Sequence, residues 1–140
     1  MKILRGTIYG GITFFFLGFL VWGVLLNDFS KTNYNQAAYL PNNEMIWWAV
    51  IVSNLFLALF LTIVLHWAGA KSIFDGLKIG AIFGALYALS ADFGMYSMTN
   101  VILNLNAIVV DTLAYIIVMA VCGIVVVFFG ERKNLVDLSF

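Results

Sequence analysis

Four long apolar stretches make up most of this chain and leave few choices of fold. They cover about residues 7–26, 45–68, 73–98 and 107–129. A helix needs about 20 mostly apolar residues to cross the hydrocarbon core of a bilayer, and each stretch reaches that length. We therefore expect one all-α domain, an antiparallel bundle of four transmembrane helices, with a single sizeable polar loop at residues 27–44.

The composition agrees with a lipid environment. The 140 residues are 64% hydrophobic and only 10% charged, whereas soluble domains are about half apolar and about a quarter charged. The formal net charge is zero, which gives no indication of a nucleic-acid partner. The bilayer is therefore the first partner that the sequence predicts.

The first apolar stretch follows two basic residues and has two interpretations, a signal peptide or a retained helix. Its apolar run is longer than a typical signal core, and the following "LLNDFSKT" offers no small-x-small cleavage site. We expect a retained helix.

The basic residues predict the orientation of the bundle, because Lys and Arg concentrate in cytoplasmic loops. Only Lys31 falls on the side of the 27–44 loop. The other side holds Lys2, Arg5, Lys71, Lys78, Arg132 and Lys133. The sequence therefore predicts a multi-pass protein of the bacterial cytoplasmic (inner) membrane with both termini in the cytoplasm.

Small residues recur every four positions along the third stretch, at Gly76, Gly80, Gly84 and Ala88. This spacing puts them on nearly one face of a helix, and small faces allow close helix approach in lipid. Tight packing within the bundle and an interface with another subunit both remain open.

Two acidic residues, Asp92 and Asp111, interrupt the third and fourth stretches. At a rise of about 1.5 Å per residue, both lie roughly 8–12 Å in from the outer ends of their helices. An ionisable residue within the membrane suggests a functional site. The predicted polar layer at this level also contains Trp22, Asn54, Tyr96, Asn100 and Tyr115.

Three interpretations of the two carboxyls remain open. They are hydrogen-bonded groups that set helix register, or a proton- or cation-coupled site open to the exterior, or a site for a polar head group or a partner subunit. The 27–44 loop carries Phe29, Tyr34, Tyr39 and Leu40. It is an ordinary connector, or these side chains lie on the membrane surface or cover the mouth of the bundle.

Enzymatic chemistry is not expected. The sequence has no pairing of nucleophile and base and no phosphate-binding glycine loop. The single His66 and the single Cys122 give no multi-histidine metal site and no intramolecular disulfide. We expect neither a metal nor another cofactor.

The segment "YSMTN" followed by "VVDTLAY" resembles a pattern in uncharacterised families of small bacterial four-helix integral membrane proteins. The resemblance implies a four-helix bundle in the cytoplasmic membrane and implies no activity. The residues that match are Trp22, Tyr96, Thr99, Asn100 and Asp111. Small multidrug transporters are also four-helix proteins, but the acidic residue that they need in the first helix is missing here.

The glycine faces favour a non-enzymatic protein that acts through helix packing, as a homo-oligomer or as an accessory subunit of a membrane complex. The alternatives are a small ion- or proton-coupled transporter that uses Asp92 and Asp111, or a membrane protein that binds a lipid or isoprenoid.

Overall fold

A computed structural model of the protein describes residues 2–131. The chain is all-α, as predicted, and four of its helices are long and apolar enough to cross a membrane by length and composition. In order, the helices are α1 (Ile3–Gly18), continued by a π-helical segment (Phe19–Leu25), α2 (Asn27–Asn33), α3 (Trp47–Trp67), α4 (Ile73–Met98) and α5 (Leu105–Glu131). The predicted boundaries of the four spans differ from these by at most a few residues.

Local signals explain where α3 ends and α4 begins. Gly69 has a φ of 71°, a left-handed conformation that suits glycine and ends a helix. Ser72 and Asp75 form a reciprocal cap: Ser72 Oγ accepts from the Asp75 amide at 3.1 Å, and Asp75 Oδ2 accepts from the Ser72 amide at 3.3 Å. This arrangement is a capping box, which the Ser-x-x-Asp spacing in the sequence favours.

The 27–44 region is more structured than a plain loop. It contains the short helix α2 and two single 3-10 turns, Gln36–Ala38 and Asn42–Glu44. Pro41 and the polar residues after it are typical of a helix start, but they form only the second of these turns. The extended backbone at Met45 separates it from α3.

The four spans pack unequally. In α5, 44% of the span is buried, against 17–22% in the others, so α5 is the centre of the bundle. It packs along α4 on one side and along α1 on the other, while α3 packs mainly against α1. Because α3 and α4 lie side by side with little direct packing, a groove remains between them.

The two ends of the bundle are distinct. The Lys2 amide donates to the Gly130 carbonyl at 2.9 Å, which brings the start of α1 to the end of α5. We call this the terminal end, and the opposite end, with residues 26–46 and 99–104, the loop end. Exposed Trp48 lies towards the loop end of α3 and exposed Trp67 at its terminal end, the places of interfacial aromatic residues. Arg132 and Lys133, which contributed to the predicted orientation, lie outside the described residues.

Candidate functional site

A cavity of about 600 Å³ opens near the loop end and receives side chains from all four spans and from the 26–46 segment. Both acidic residues of the predicted polar layer line it, within a wall that is mostly aromatic. The principal lining residues are Phe14, Phe19, Trp22, Tyr34, Gln36, Tyr39, Trp47, Asn54, Tyr87, Ala91, Asp92, Asp111 and Tyr115.

The two carboxyl groups form the polar centre of this cavity. Asp111 is only 8% exposed, and its Oδ1 accepts a hydrogen bond from Trp22 Nε1 at 2.8 Å. The Asp92 and Asp111 carboxyls lie within hydrogen-bonding reach of each other. Asp92 Oδ2 is buried and has no donor when both groups are ionised. Two carboxyls so placed can share a hydrogen bond only when one of them holds a proton.

The glycine stripe of α4 sets the distance between the acid-bearing helices. A methyl group added at Gly76, Gly80 or Gly84 would overlap the main chain of α5. The α5 carbonyls facing these positions belong to Gly123, Met119 and Tyr115. Of the two interpretations of this stripe, the structure shows packing within the bundle. The small residues let the backbones of α4 and α5 come into contact.

The same stripe also sets the register of the acid pair. The contact moves four residues forward along α4 from Gly76 to Gly80 and again to Gly84. On α5 it moves four residues back each time, from Gly123 to Met119 and then to Tyr115. The next step in this series brings Ala88, which is fully buried, opposite Asp111. Asp92 follows one helical turn beyond Ala88. By this register Asp92 lies about one turn nearer the loop end than Asp111. The two carboxyls still meet, because each side chain leans towards the N-terminus of its own helix and the two helices run in opposite directions.

Trp22 reaches Asp111 from an unusual backbone. Residues Phe19–Leu25 are π-helical, and the Leu26 amide donates to the Val21 carbonyl at 2.8 Å. π-Helical turns are rare and occur often at functional sites. The wider turn changes the direction of the side chains past Gly18, and the indole of Trp22 faces the bundle interior beside Tyr115, with ring centroids 4.7 Å apart.

The segment after α2 covers the mouth of the cavity. Tyr34 and Tyr39 both line the cavity, with ring centroids 6.5 Å apart. Backbone hydrogen bonds join the segment to the α4–α5 connection: the Asn35 amide donates to Val101, and the Leu103 amide donates to Asn33. The segment therefore forms part of the cavity wall, which agrees with the interpretation of this loop as a cover.

Asn104 holds the cover and the start of α5 together. Its Nδ2 donates to Asn33 Oδ1 at 2.7 Å, and its Oδ1 accepts from the Ala107 amide at 3.0 Å. The second bond caps α5. Two asparagines near this helix start could serve as caps; Asn104 does so, and Asn106 is exposed.

The cover is electrostatically linked to the acid pair. Burial raises the pKa of the Tyr34 hydroxyl above its ordinary value, and the nearby charges of Asp111 and Asp92 raise it further. The same causes, in the same order, raise the pKa of Tyr39. Both phenols are therefore neutral hydrogen-bonding groups at physiological pH. Lys31 is not a counter-ion here, because it is exposed and lies 3.9 Å from Asp28.

The structure brings together most of the polar residues predicted at this level. Trp22, Asn54 and Tyr115 line the cavity with the acid pair. Tyr96 and Asn100 do not: both are exposed at the end of α4 and lie outside the lining. Steps of four from Ala88 would lead through Asp92 to Tyr96 and Asn100, but an α-helix has 3.6 residues per turn, so this row rotates away from α5.

Sequence reasoning missed part of the aromatic wall, notably Phe14, Trp47 and Tyr87. Tyr87 carried a usable signal, since it lies five residues before Asp92 and its polar tip is unusual in an apolar span. Phe14 and Trp47 carried none, because "TFFFLGF" and "MIWW" present several equivalent aromatic rings.

No protein-family model matches the chain, and no curated protein or solved structure matches it significantly. The resemblance to small bacterial four-helix families therefore stays a prediction, and the site must be interpreted from its own chemistry.

Proposed function

We propose that the protein is a small non-enzymatic carrier in which a cation and a proton compete for the Asp92–Asp111 pair. The observation that supports this most directly is the acid pair itself, set in a cavity of about 600 Å³. Among the described residues that line the cavity, none is Lys or Arg. Bringing two carboxyls into a membrane-embedded cavity without a cation is unfavourable, so a proton or a cationic ligand must reduce their charge.

The hydrogen bonds suggest which carboxyl exchanges the proton. Trp22 donates to Asp111 and stabilises its charged form. Asp92 Oδ2 has no such donor. With one proton on the pair, Asp92 holds it and donates to Asp111. When a cation binds, this proton leaves, and the cation neutralises one of two negative charges. One cation is thus exchanged for one proton.

In the observed conformation the acid pair is closed off from the terminal end of the bundle. Buried apolar side chains fill the bundle between the cavity and the terminal end, including Leu61, Leu65, Met119 and Val126. Transport requires a second conformation that opens this side. Binding and flux are therefore separate measurements, and the carrier proposal requires both.

A role through helix packing, as a homo-oligomer or accessory subunit, was the leading prediction from the sequence. It stays a prediction, but its main motivation has weakened, because the glycine stripe is used inside the chain. A strictly monomeric native mass in mild detergent, without a co-purifying partner, would argue against it. The lipid- or isoprenoid-binding alternative would be supported by a co-purified lipid in native mass spectrometry.

For location, we propose the bacterial cytoplasmic membrane, with the loop end outside and both termini in the cytoplasm. Lys71 and Lys78 at the terminal end support this orientation through the positive-inside rule. The loop end carries Lys31, which lies close to Asp28. The cavity would then face the exterior.

The test uses purified protein in proteoliposomes that enclose a pH-sensitive dye. External Na⁺, guanidinium or tetramethylammonium is added as the probe, and proton movement is followed. At least one of these cations should drive proton efflux with the wild type, and both Asp92→Asn and Asp111→Asn should abolish it. Asp28→Asn is the matched control, since the Asp28 side chain is 99% exposed outside the cavity.

Parallel titrations in detergent separate binding from flux. Proton release upon cation binding without flux in liposomes would reject a carrier and leave a binding protein. The absence of both, with correctly folded protein, would reject the proposed function.

A further inference from the structure

A second cavity of about 510 Å³ lies between α3 and α4, nearer the middle of the bundle. It is open towards the lipid side, and its wall is almost wholly apolar. The lining residues are Phe60, Val64, Ile79, Ile82, Phe83, Leu86, Tyr87, Ser90 and Ala91. We call this surface the α3–α4 groove.

The groove and the acidic cavity are adjacent. Both are lined by Tyr87 and Ala91. Aromatic rings follow this connection: Phe60 lies edge-on to Phe83 at 5.0 Å, and Phe83 is stacked with Tyr87 at 6.3 Å. The Tyr87 ring then lies 5.3 Å from Tyr115. Because Tyr115 contacts Trp22, which donates to Asp111, the series runs from the lipid-facing groove to the acid pair.

The wall of the acidic cavity suits an organic cation better than a metal ion. Ca²⁺ and Mg²⁺ take six or more oxygen ligands in a tight shell. Here two carboxyls lie in a much larger space surrounded by aromatic rings, including Phe14, Trp22 and Tyr87. Aromatic faces attract quaternary ammonium and related cations, and the carboxyls supply the opposite charge. An anionic phosphate head group would face two acids and no basic residue among the lining.

Resting on the proposed function, we infer that the ligand is an amphiphilic organic cation whose charged group lies at Asp92 and Asp111 and whose apolar part lies in the α3–α4 groove. Such a ligand reaches the site from the bilayer, between α3 and α4, as well as beneath the Tyr34–Tyr39 cover. Charge complementarity at the acid pair and the adjacent apolar groove select this class over a small hydrophilic cation.

The experiment compares two ligands with the same head group, tetramethylammonium and hexyltrimethylammonium, binding to protein in nanodiscs of neutral phosphatidylcholine. Empty nanodiscs correct for partition into lipid. Since each buried methylene contributes favourably, hexyltrimethylammonium should bind the wild type at least about tenfold more tightly. Equal affinities would overturn the inference.

Substitutions in the α3–α4 groove test whether it holds the alkyl chain. Ser90→Trp, which fills the groove beside its connection with the cavity, should remove most of the difference in affinity between the two ligands. Leu86→Trp is the second variant, at a side chain that is 64% exposed. Leu89→Trp is the control, because Leu89 lies at the same depth of α4 and lines neither cavity. A difference that persists in both groove variants, with folded protein, would place the alkyl chain elsewhere and overturn the inference.

The outcomes distinguish this inference from the proposed function. Proton release by tetramethylammonium, Na⁺ or guanidinium, without any gain from the alkyl chain, would keep the cation–proton site and reject the amphiphilic ligand. Failure of every probe to release a proton would reject both.

Discussion

The indole N–H of Trp22 donates to Asp111 Oδ1 at 2.8 Å, across 89 positions of the chain. This bond joins the π-helical end of the first span to the central helix α5. It also gives Asp111 a donor that Asp92 Oδ2 lacks, so the two carboxyls differ in their hydrogen bonding. The asymmetry of the acid pair therefore originates in the backbone of the first span.

Trp22→Phe should destabilise the protein by about 1–3 kcal/mol, because the variant keeps an aromatic ring but leaves a buried carboxyl without its donor. Reversible unfolding in mixed detergent micelles measures the change. Trp48→Phe is the control, since Trp48 is 70% exposed at the loop end of α3. Equal stability of the two variants would show that the bond contributes little.

Gly80→Ala should destabilise the bundle by about 1–3 kcal/mol or more, because the added methyl group overlaps the Met119 carbonyl and forces α4 away from α5. The matched control is Gly94→Ala on the same helix, where an added methyl group meets no atom within 4 Å. That control should be neutral or slightly stabilising, since alanine favours the helix by about 0.5–1 kcal/mol. The same reversible-unfolding assay measures the stability of both variants. Similar losses of stability in the two would contradict the packing argument.

Asn104→Ala should loosen the cover of the cavity and the start of α5 together. It removes the bond to Asn33 and the cap on Ala107, and loss of such a cap costs about 1 kcal/mol. Hydrogen exchange at residues 33–39 should become faster, as measured by mass spectrometry. Asn106→Ala, at an exposed position, should leave exchange unchanged. Slow exchange in both variants would mean that the backbone pairing at Tyr34 holds the cover alone.

Cation affinity should rise with pH, because a bound proton competes with the cation for the acid pair. Where one proton is displaced per cation, the dissociation constant falls by up to about tenfold per pH unit over the range in which the cation-free pair still holds its proton. Tyr34 and Tyr39 do not contribute to this profile, because burial raises the pKa of each phenol above its ordinary value of about 10. Titrations with tetramethylammonium across this range measure the slope, and an affinity that is constant or falls with pH would refute the competition.

The proposed orientation is tested by cysteine labelling in whole cells. In a Cys122→Ser background, which removes the single native thiol, a membrane-impermeant maleimide should label Asp28→Cys and should not label Lys71→Cys. Permeabilised cells provide the control, since both positions should then react. The reverse pattern would put the acidic cavity on the cytoplasmic side.

The sequence by itself determined the number of spans, their approximate limits and the face of α4 that another backbone can approach closely. These features depend on local composition: apolar length decides what crosses a bilayer, and the four-residue spacing from Gly76 to Ala88 decides which face another backbone can approach. The rise of about 1.5 Å per residue, counted from the outer ends of the spans, was sufficient to predict that Asp92 and Asp111 lie at a similar level.

Only the tertiary structure decided what surrounds the acid pair. It brought Trp22 to Asp111 through a π-helical turn that no residue pattern predicts. It also placed Tyr34 over the cavity through backbone pairing with the distant α4–α5 connection. It also left Tyr96 and Asn100 at the surface. The physical reason is that these outcomes depend on how separate helices rotate and pack against each other, and the four apolar spans look nearly alike along the chain. The groove between α3 and α4 arises in the same way, because both helices find better partners elsewhere.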